Sequence, residues 1–165
     1  MPVSSKSSQL QIRVSQEEKL AIRKAAQRAG MDMSEYVLSR VLSQPARQFQ
    51  EGITALTGPA APAFALAEIH SLLSTLTPTA LREAIAAAPE VRLTPFLANY
   101  LAALVEAACE KRGILLPAWI HRIPPLEEPY FGSSLQSLRL YLLTHSPAPF
   151  RRRNLFVDTT LGDRV

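Results

Sequence analysis

Three polar side chains near the start of the chain have the types and spacing needed to read DNA bases. Gln9, Gln11 and Arg13 alternate with apolar residues, and alternate residues of a β-strand share one face. Carboxamide and guanidinium groups can make bidentate hydrogen bonds to the edges of adenine and guanine. The run therefore predicts a strand with a base-reading polar face and an apolar face that needs a cover.

Two helices are predicted directly after this strand. Ser15 followed by Glu18 can satisfy the free amides at a helix start reciprocally, and Gly30 is suited to the left-handed conformation that ends a helix. Ser34 is a second candidate N-cap, and Pro45 disfavours helical geometry at the residue before it. The predicted order is strand, helix, short turn and helix.

A lone strand cannot satisfy its own backbone hydrogen-bonding groups. We therefore expect two copies of the chain to pair their strands antiparallel across a two-fold axis. The helices would cover the apolar side of this ribbon, and the polar side would be free to enter the major groove of DNA.

The segment resembles the ribbon-helix-helix DNA-binding proteins, and more narrowly their antitoxin-like members. The resemblance is carried by Ser15, Glu17, Glu18, Ala25, Ala26, Gly30, Ser34, Glu35, Tyr36 and Val37. It implies that Gln9, Gln11 and Arg13 face bases, and that the second helix start near Met33 and Ser34 meets a phosphate. The alternative is an ordinary amphipathic strand-helix-helix unit in another kind of domain.

Length and composition predict a second domain. The chain has 165 residues, of which 47% are apolar, so most of the remainder should fold. We expect a DNA-binding and dimerisation domain at residues 1–57 and a helical partner-binding domain at residues 58–165, separated by an Ala-Pro stretch. Residues 1–50 contain eight Lys or Arg against four acidic residues, an excess that fits phosphate contact.

The second domain is predicted to be helical with an extended Pro-rich segment, which makes the whole fold mainly α. Thr77 and Thr94, each followed by proline, are helix starts, and Gly113 closes the longest helix. Residues 116–131 contain four prolines and should wrap over the helices, anchored by Trp119. The last helix should turn these leucines inward: Leu135, Leu138, Leu142 and Leu143.

A basic run near the end of the chain is a candidate partner-binding site. Arg151, Arg152 and Arg153 stand between Phe150 and Phe156, and apolar anchors beside guanidinium groups are typical of protein interfaces. The alternative is a solvated turn before a short terminal strand. This C-terminal region also resembles those of antitoxin-like proteins, which implies a toxin-docking domain.

No pattern in the sequence points to catalysis. There is no G-x-S-x-G, P-loop or H-E-x-x-H pattern. The single cysteine, Cys109, and the widely separated His70, His121 and His145 do not form a metal-ligand pattern. We therefore expect no enzyme activity, no catalytic residues, no cofactor and no metal. No apolar stretch is long enough to span a membrane, so a cytoplasmic location is expected.

The function predicted from these patterns is that of a dimeric, DNA-binding autorepressor of the antitoxin type. Its N-terminal ribbon would bind a double-stranded operator, and its C-terminal domain would bind a toxin-like protein. One alternative is a plasmid or chromosome segregation adaptor that binds repeated DNA sites. Another is an uncatalogued enzyme in the helical domain.

Overall fold

A computed structural model describes residues 11–41, 44–59 and 61–158. Gln9, the first predicted base-reading residue, lies outside the described residues. The described chain is mainly helical, with α1 at Gln16–Arg28, α2 at Met33–Val41, α3 at Gln44–Ala55, α4 at Pro62–Thr75, α5 at Pro78–Ile85, α6 at Pro95–Arg112, α7 at Gln136–His145 and α8 at Ala148–Arg151. It also contains a 3-10 helix at Ala118–Arg122 and two short strands, β1 at Tyr130–Phe131 and β2 at Leu155–Phe156. None of the described helices is long and apolar enough to cross a membrane.

The chain divides into two compact units, Met1–Leu42 and Ser43–Val165. This division comes earlier than the predicted boundary at residues 57 and 58. Helix α3 packs against α4 and α5 and buries Phe49 and Ile53 completely, so it belongs to the core of the second unit. Pro45 lies in the first turn of α3, where its missing N–H costs no intrahelical hydrogen bond.

Helix α6 is the central element of the C-terminal unit and packs against α4 and α8. Its start and end match the prediction. The Thr94 hydroxyl oxygen accepts a hydrogen bond of 3.3 Å from the Leu97 amide, and Gly113 has the left-handed φ of 62° that closes the helix. Thr77 caps α5 in the same way, with 3.3 Å between its hydroxyl and the Ala80 amide.

Helices α3 and α4 approach closely at Gly52. A Cβ atom at this position would lie 2.9 Å from Cγ1 of Ile69, a distance too short for two carbon atoms. Ile69 is itself buried and branched at Cβ, so it has little freedom to move away. The contact between the two helices therefore depends on the absence of a side chain at residue 52.

The Pro-rich segment is held against the helices by side-chain hydrogen bonds to backbone carbonyls. The buried Trp119 donates from Nε1 to the Ile85 carbonyl at 2.9 Å, and Nδ2 of Asn99 donates to the Pro124 carbonyl at 3.0 Å. The segment ends in β1, which pairs parallel with β2. The role predicted for Trp119 as a packing anchor is confirmed.

Helix α7 differs from its prediction. Of its predicted inward-facing leucines only Leu142 is buried, whereas Leu135, Leu138 and Leu143 are exposed. The structural reason is that α7 packs chiefly on the two-residue strand β2, which is too narrow to cover more than one side of a helix.

Candidate nucleic-acid interface

Helix α1 begins directly after the predicted reading segment, and Ser15 fixes its start. The Ser15 amide donates to Oε2 of Glu18 at 2.7 Å, and the Glu18 amide donates to Oγ of Ser15 at 3.2 Å. This is the reciprocal cap that the sequence predicts. The hydrogen bonds from the Ser15 backbone and, secondarily, its side chain hold the pKa of Glu18 below its usual value of 4.5.

Residues 11–14 are exposed and have no strand partner within the described chain. Ile12 is 57% exposed and Val14 is 42% exposed, so the apolar face of the predicted strand is uncovered. Gln11 and Arg13 alternate with them and are also exposed. A strand forms by pairing with another strand, so the antiparallel ribbon stays a prediction about two copies of the chain.

The turn between α1 and α2 contains an unpredicted cap. Gly30 has the predicted left-handed φ, 67°. Oδ1 of Asp32 accepts hydrogen bonds from the amides of Ser34 at 2.7 Å and Glu35 at 2.9 Å. The expectation that Ser34 caps α2 is therefore wrong, because the helix begins at Met33. The signal was present in the sequence, since Asp32 precedes Glu35 by three residues, as Ser15 precedes Glu18.

The Asp32 carboxylate changes what the start of α2 can bind. Met33 and Ser34 are exposed there, as a phosphate contact requires. A helix N-terminus attracts anions through its free amides, but the Ser34 amide already donates to Asp32. A phosphate could use that amide only by displacing the Asp32 carboxylate.

The second half of α1 carries positive charge on its surface. Arg23, Lys24 and Arg28 are exposed, and Lys24, Gln27 and Arg28 line a shallow surface depression. The acidic residues of the helix are confined to its first turn. The sequence predicted an N-terminal basic excess without assigning these three residues a role, although the four-residue spacing of Lys24 and Arg28 predicts a shared face.

The described part of the N-terminal unit has almost no core of its own. Ala26 is its single buried residue among those described. Its exposed large apolar residues are Ile12, Val14, Leu20, Met31, Met33 and Val41. Because so many large apolar residues are exposed and only one described residue is buried, this unit has the composition of one half of a larger core.

Two predicted partner-binding residues are internal to the C-terminal unit. Phe150 is 1% exposed and Arg153 is 6% exposed. Arg153 donates from Nε to Oε1 of Glu106 at 2.9 Å and from Nη1 to Oδ1 of Asn99 at 3.1 Å. Its guanidinium group is therefore part of a buried hydrogen-bond network within the C-terminal unit. The sequence signal for this network is a pair of polar residues, Asn99 and Glu106, two turns apart in an apolar helix.

The other predicted partner residues remain at the surface. Arg151 and Arg152 are exposed, and Arg152 forms an ion pair with Glu110. Phe156 is half-buried, and its ring stacks on Phe131 with 5.0 Å between ring centroids. The accessible part of the predicted partner site is thus smaller than the sequence indicated.

The described residues contain no grouping of three or more His, Cys, Asp or Glu that could hold a metal ion. The Cys109 thiol is buried, and burial raises its pKa. A buried thiol with a raised pKa has little of the reactive thiolate form.

A family model described as NikA-like, "Mobilization protein NikA", matches residues 5–51. The match includes the predicted strand, α1, α2 and the first turns of α3, and it is consistent with an N-terminal DNA-binding domain. The matched family is one of mobilization proteins, so the match does not extend to the narrower antitoxin-like resemblance. Searches of curated proteins and of solved structures gave no match.

Proposed function

We propose that the chain is a dimeric DNA-binding protein whose N-terminal unit recognises a specific double-stranded site during DNA mobilization. The observation that carries this proposal is that the N-terminal unit buries so few of its described residues and exposes its apolar side chains. Only Ala26 is buried among its described residues, while Ile12 and Val14 are exposed beside Gln11 and Arg13. A second copy of the chain that covered Ile12 and Val14 would leave Gln11 and Arg13 of both copies on the outer face of the paired strands.

The apolar surface that this dimer could bury is considerable. Burying one aliphatic side chain contributes about 1.5–3 kcal/mol, and a two-fold axis doubles each contribution. Ile12 and Val14 together would therefore contribute about 6–12 kcal/mol as an upper bound, against an association cost of roughly 4–15 kcal/mol. The strands alone do not guarantee a dimer, so the exposed Leu20 of α1 and Val41 of α2 are expected to add to the same core.

Specificity and affinity have separate sources in this proposal. Gln11 and Arg13, with Gln9 before them, supply the hydrogen bonds to base edges that distinguish sequences. Lys24 and Arg28 supply positive charge for phosphates, which strengthens binding to any sequence.

The family match favours mobilization over the other roles considered. The matched family is named for mobilization, and base contacts by the proposed ribbon would let the protein mark one site on the DNA molecule that is mobilised. The C-terminal unit, with its own core, would then recruit another protein to that site. The antitoxin role and its toxin-like partner remain a prediction from sequence resemblance.

The DNA-binding proposal is tested with duplexes selected from a random pool by the full chain. We expect Gln11→Ala and Arg13→Ala to weaken binding to a selected duplex by about 1–3 kcal/mol for each bidentate pairing with a base that the variant removes, with little effect on random duplex. Fluorescence anisotropy measures both affinities. Lys24→Ala is the matched control and should weaken both by a similar factor.

Normal binding of both strand variants to the selected duplex would exclude the strand as the reading element. The mobilization role has a separate test, because it predicts where the bound site lies. Chromatin immunoprecipitation should place the protein at a DNA transfer origin. Binding confined to the promoter of its own gene would contradict mobilization and favour autorepression.

A further inference from the structure

Helix α7 presents an apolar surface that the described chain leaves uncovered. Leu140 is 73% exposed and Leu135 is 60% exposed, and Leu143 is exposed as well. Single exposed leucines are ordinary on protein surfaces. Three on one short helix and its N-cap are different, because a helix that is apolar on most of its circumference is normally covered on more than one side.

These leucines share a face that has one positive charge. At about 3.6 residues per turn, Arg139 and Leu143 follow one another along the helix and Leu140 lies beside Leu143, while Leu135 is the N-cap residue one turn before Arg139. We call Leu135, Arg139, Leu140 and Leu143 the α7 stripe. Its pattern is that of a docking face with apolar anchors on both sides of a guanidinium group.

The Arg139 guanidinium is held in place by an aromatic ring. Its Cζ lies 5.0 Å from the centroid of the Phe131 ring, a distance within the range of a cation–π contact. Phe131 stacks on Phe156, and both rings are half-buried. The α7 stripe therefore adjoins an aromatic pair, which includes one of the anchors predicted from the sequence.

The charge of the α7 stripe is not balanced nearby in the sequence. Residues 131–154 contain no Asp or Glu. Arg152 and Arg153 are neutralised by Glu110 and Glu106, whereas no ion pair of Arg139 occurs among the described residues. The Arg139 guanidinium group can therefore donate hydrogen bonds to a carboxylate of another molecule. Paired hydrogen bonds between a guanidinium group and a carboxylate are among the stronger ones in proteins.

A second copy of the chain is a poor occupant of this surface. The midpoint of α7 lies between Leu140 and Tyr141, so an antiparallel two-fold pairing of the helix would place Arg139 near its own copy. Like charges brought together in an interface cost several kcal/mol. The charge therefore favours a different, acidic occupant.

We propose that the α7 stripe docks an amphipathic segment of another protein that inserts large apolar side chains between the leucines and presents a carboxylate to Arg139. This proposal concerns the C-terminal unit and does not depend on DNA binding by the N-terminal unit. It also replaces the basic run at residues 151–153 as the main partner surface, since Arg153 is buried there.

The experiment is a selection of phage-displayed amphipathic peptides on the full 165-residue chain. We expect the wild type to enrich peptides in which Asp or Glu is flanked by Leu, Ile or Phe at helical spacing. The charge-reversed variant Arg139→Glu should lose those peptides and enrich Lys or Arg at the same place. Such an exchange is specific to a direct charge contact.

The affinity of one enriched synthetic peptide is then measured by calorimetry. The double variant Leu140→Ser/Leu143→Ser should weaken it at least roughly tenfold, as expected when two buried leucine side chains are removed from an interface. The control variants Leu115→Ser and Phe64→Ser replace exposed apolar residues outside the α7 stripe and should leave the affinity unchanged. Circular dichroism checks that every variant is folded.

Three outcomes would overturn the proposal. The first is that Arg139→Glu selects the same acidic peptides as the wild type, or that neither selects any. The second is a halved molecular mass of Leu140→Ser/Leu143→Ser in light scattering, which would make the surface an interface between copies. The third is weaker duplex DNA binding by Arg139→Glu with a flatter salt dependence, which would assign the surface to phosphate.

Discussion

Nε of Arg153 donates a hydrogen bond of 2.9 Å to Oε1 of Glu106, and both side chains are buried. Removing one partner from such a pair leaves an uncompensated charge in the core. We therefore expect Glu106→Ala to lower the free energy of unfolding by about 3–5 kcal/mol, measured by urea denaturation.

Glu110→Ala is the matched control for this prediction. Glu110 pairs with Arg152, but both side chains are about half exposed, so its loss should cost about 0–1 kcal/mol. Replacing Glu106 and Arg153 together with leucine and methionine should recover much of the lost stability. Equal small losses for Glu106→Ala and Glu110→Ala would mean that the buried pair is not a structural element.

The proposed dimer predicts opposite outcomes for two neighbouring residues. Ile12→Asp should abolish the dimer, because the carboxylate would be desolvated beneath the paired strands at a cost of several kcal/mol. Gln11→Asp should keep the dimer and lose DNA affinity, because residue 11 faces outward. Sedimentation equilibrium measures the mass of each variant. A dimer that survives Ile12→Asp would rule out this strand as the pairing element.

Asp32 is predicted to limit DNA affinity. Asp32→Asn keeps an oxygen that can accept from the Ser34 amide and removes a negative charge beside the expected phosphate. We expect binding to selected and random duplexes to strengthen by the same factor, roughly two- to tenfold at low salt. Anisotropy titrations at two salt concentrations measure this.

Glu17→Gln removes the same charge from the first turn of α1 and is the control for Asp32→Asn. Its effect should be smaller, since no phosphate contact is expected at Glu17. An equal gain in DNA affinity from both variants would mean that only the net charge of the protein matters. The start of α2 would then not be part of the proposed interface.

The lowered pKa of Glu18 makes the stability of α1 dependent on pH. Because the pKa of Glu18 is lower in the folded than in the unfolded state, its carboxylate stabilises α1 fully at a pH above the unfolded-state pKa. This stabilisation is lost as the pH falls through the folded-state pKa. An NMR titration should find the pKa of Glu18 below the ordinary value of a glutamate side chain. Ser15→Ala removes the smaller, side-chain contribution of Ser15 to the lowered pKa of Glu18 and should raise that pKa partway toward its ordinary value, since the hydrogen bond from the Ser15 amide to the carboxylate remains. An unchanged value would mean that the reciprocal cap does not form in solution.

Local features of the fold were predictable from the sequence, because their causes lie within a few residues. The caps at Ser15, Thr77 and Thr94 and the left-handed glycines at Gly30 and Gly113 all involve partners no more than one turn away. The Asp32 cap is equally local, but Ser34 two residues later is also a residue type that commonly caps helices, so the sequence offered two candidates.

Features that depend on distant partners were not predictable in the same way. The assignment of α3 to the second unit follows from its packing on α4 and α5. The burial of Arg153 follows from Glu106 and Asn99, which are far away in sequence and meet it only in the folded unit. Helix α7 is exposed because strand β2 covers only a small part of it. The periodicity of the apolar residues alone does not reveal this.

The close approach of α3 and α4 at Gly52 has an evolutionary consequence. Because a Cβ atom at residue 52 would collide with Ile69, the two residues are under joint selection. Because the colliding atom is Cγ1 of residue 69, alanine at position 52 becomes acceptable only in a lineage that already has a side chain without a γ carbon there, such as alanine. Substitutions at the two sites should therefore appear in that order, and sequences that carry alanine at 52 together with isoleucine at 69 should be absent from functional descendants.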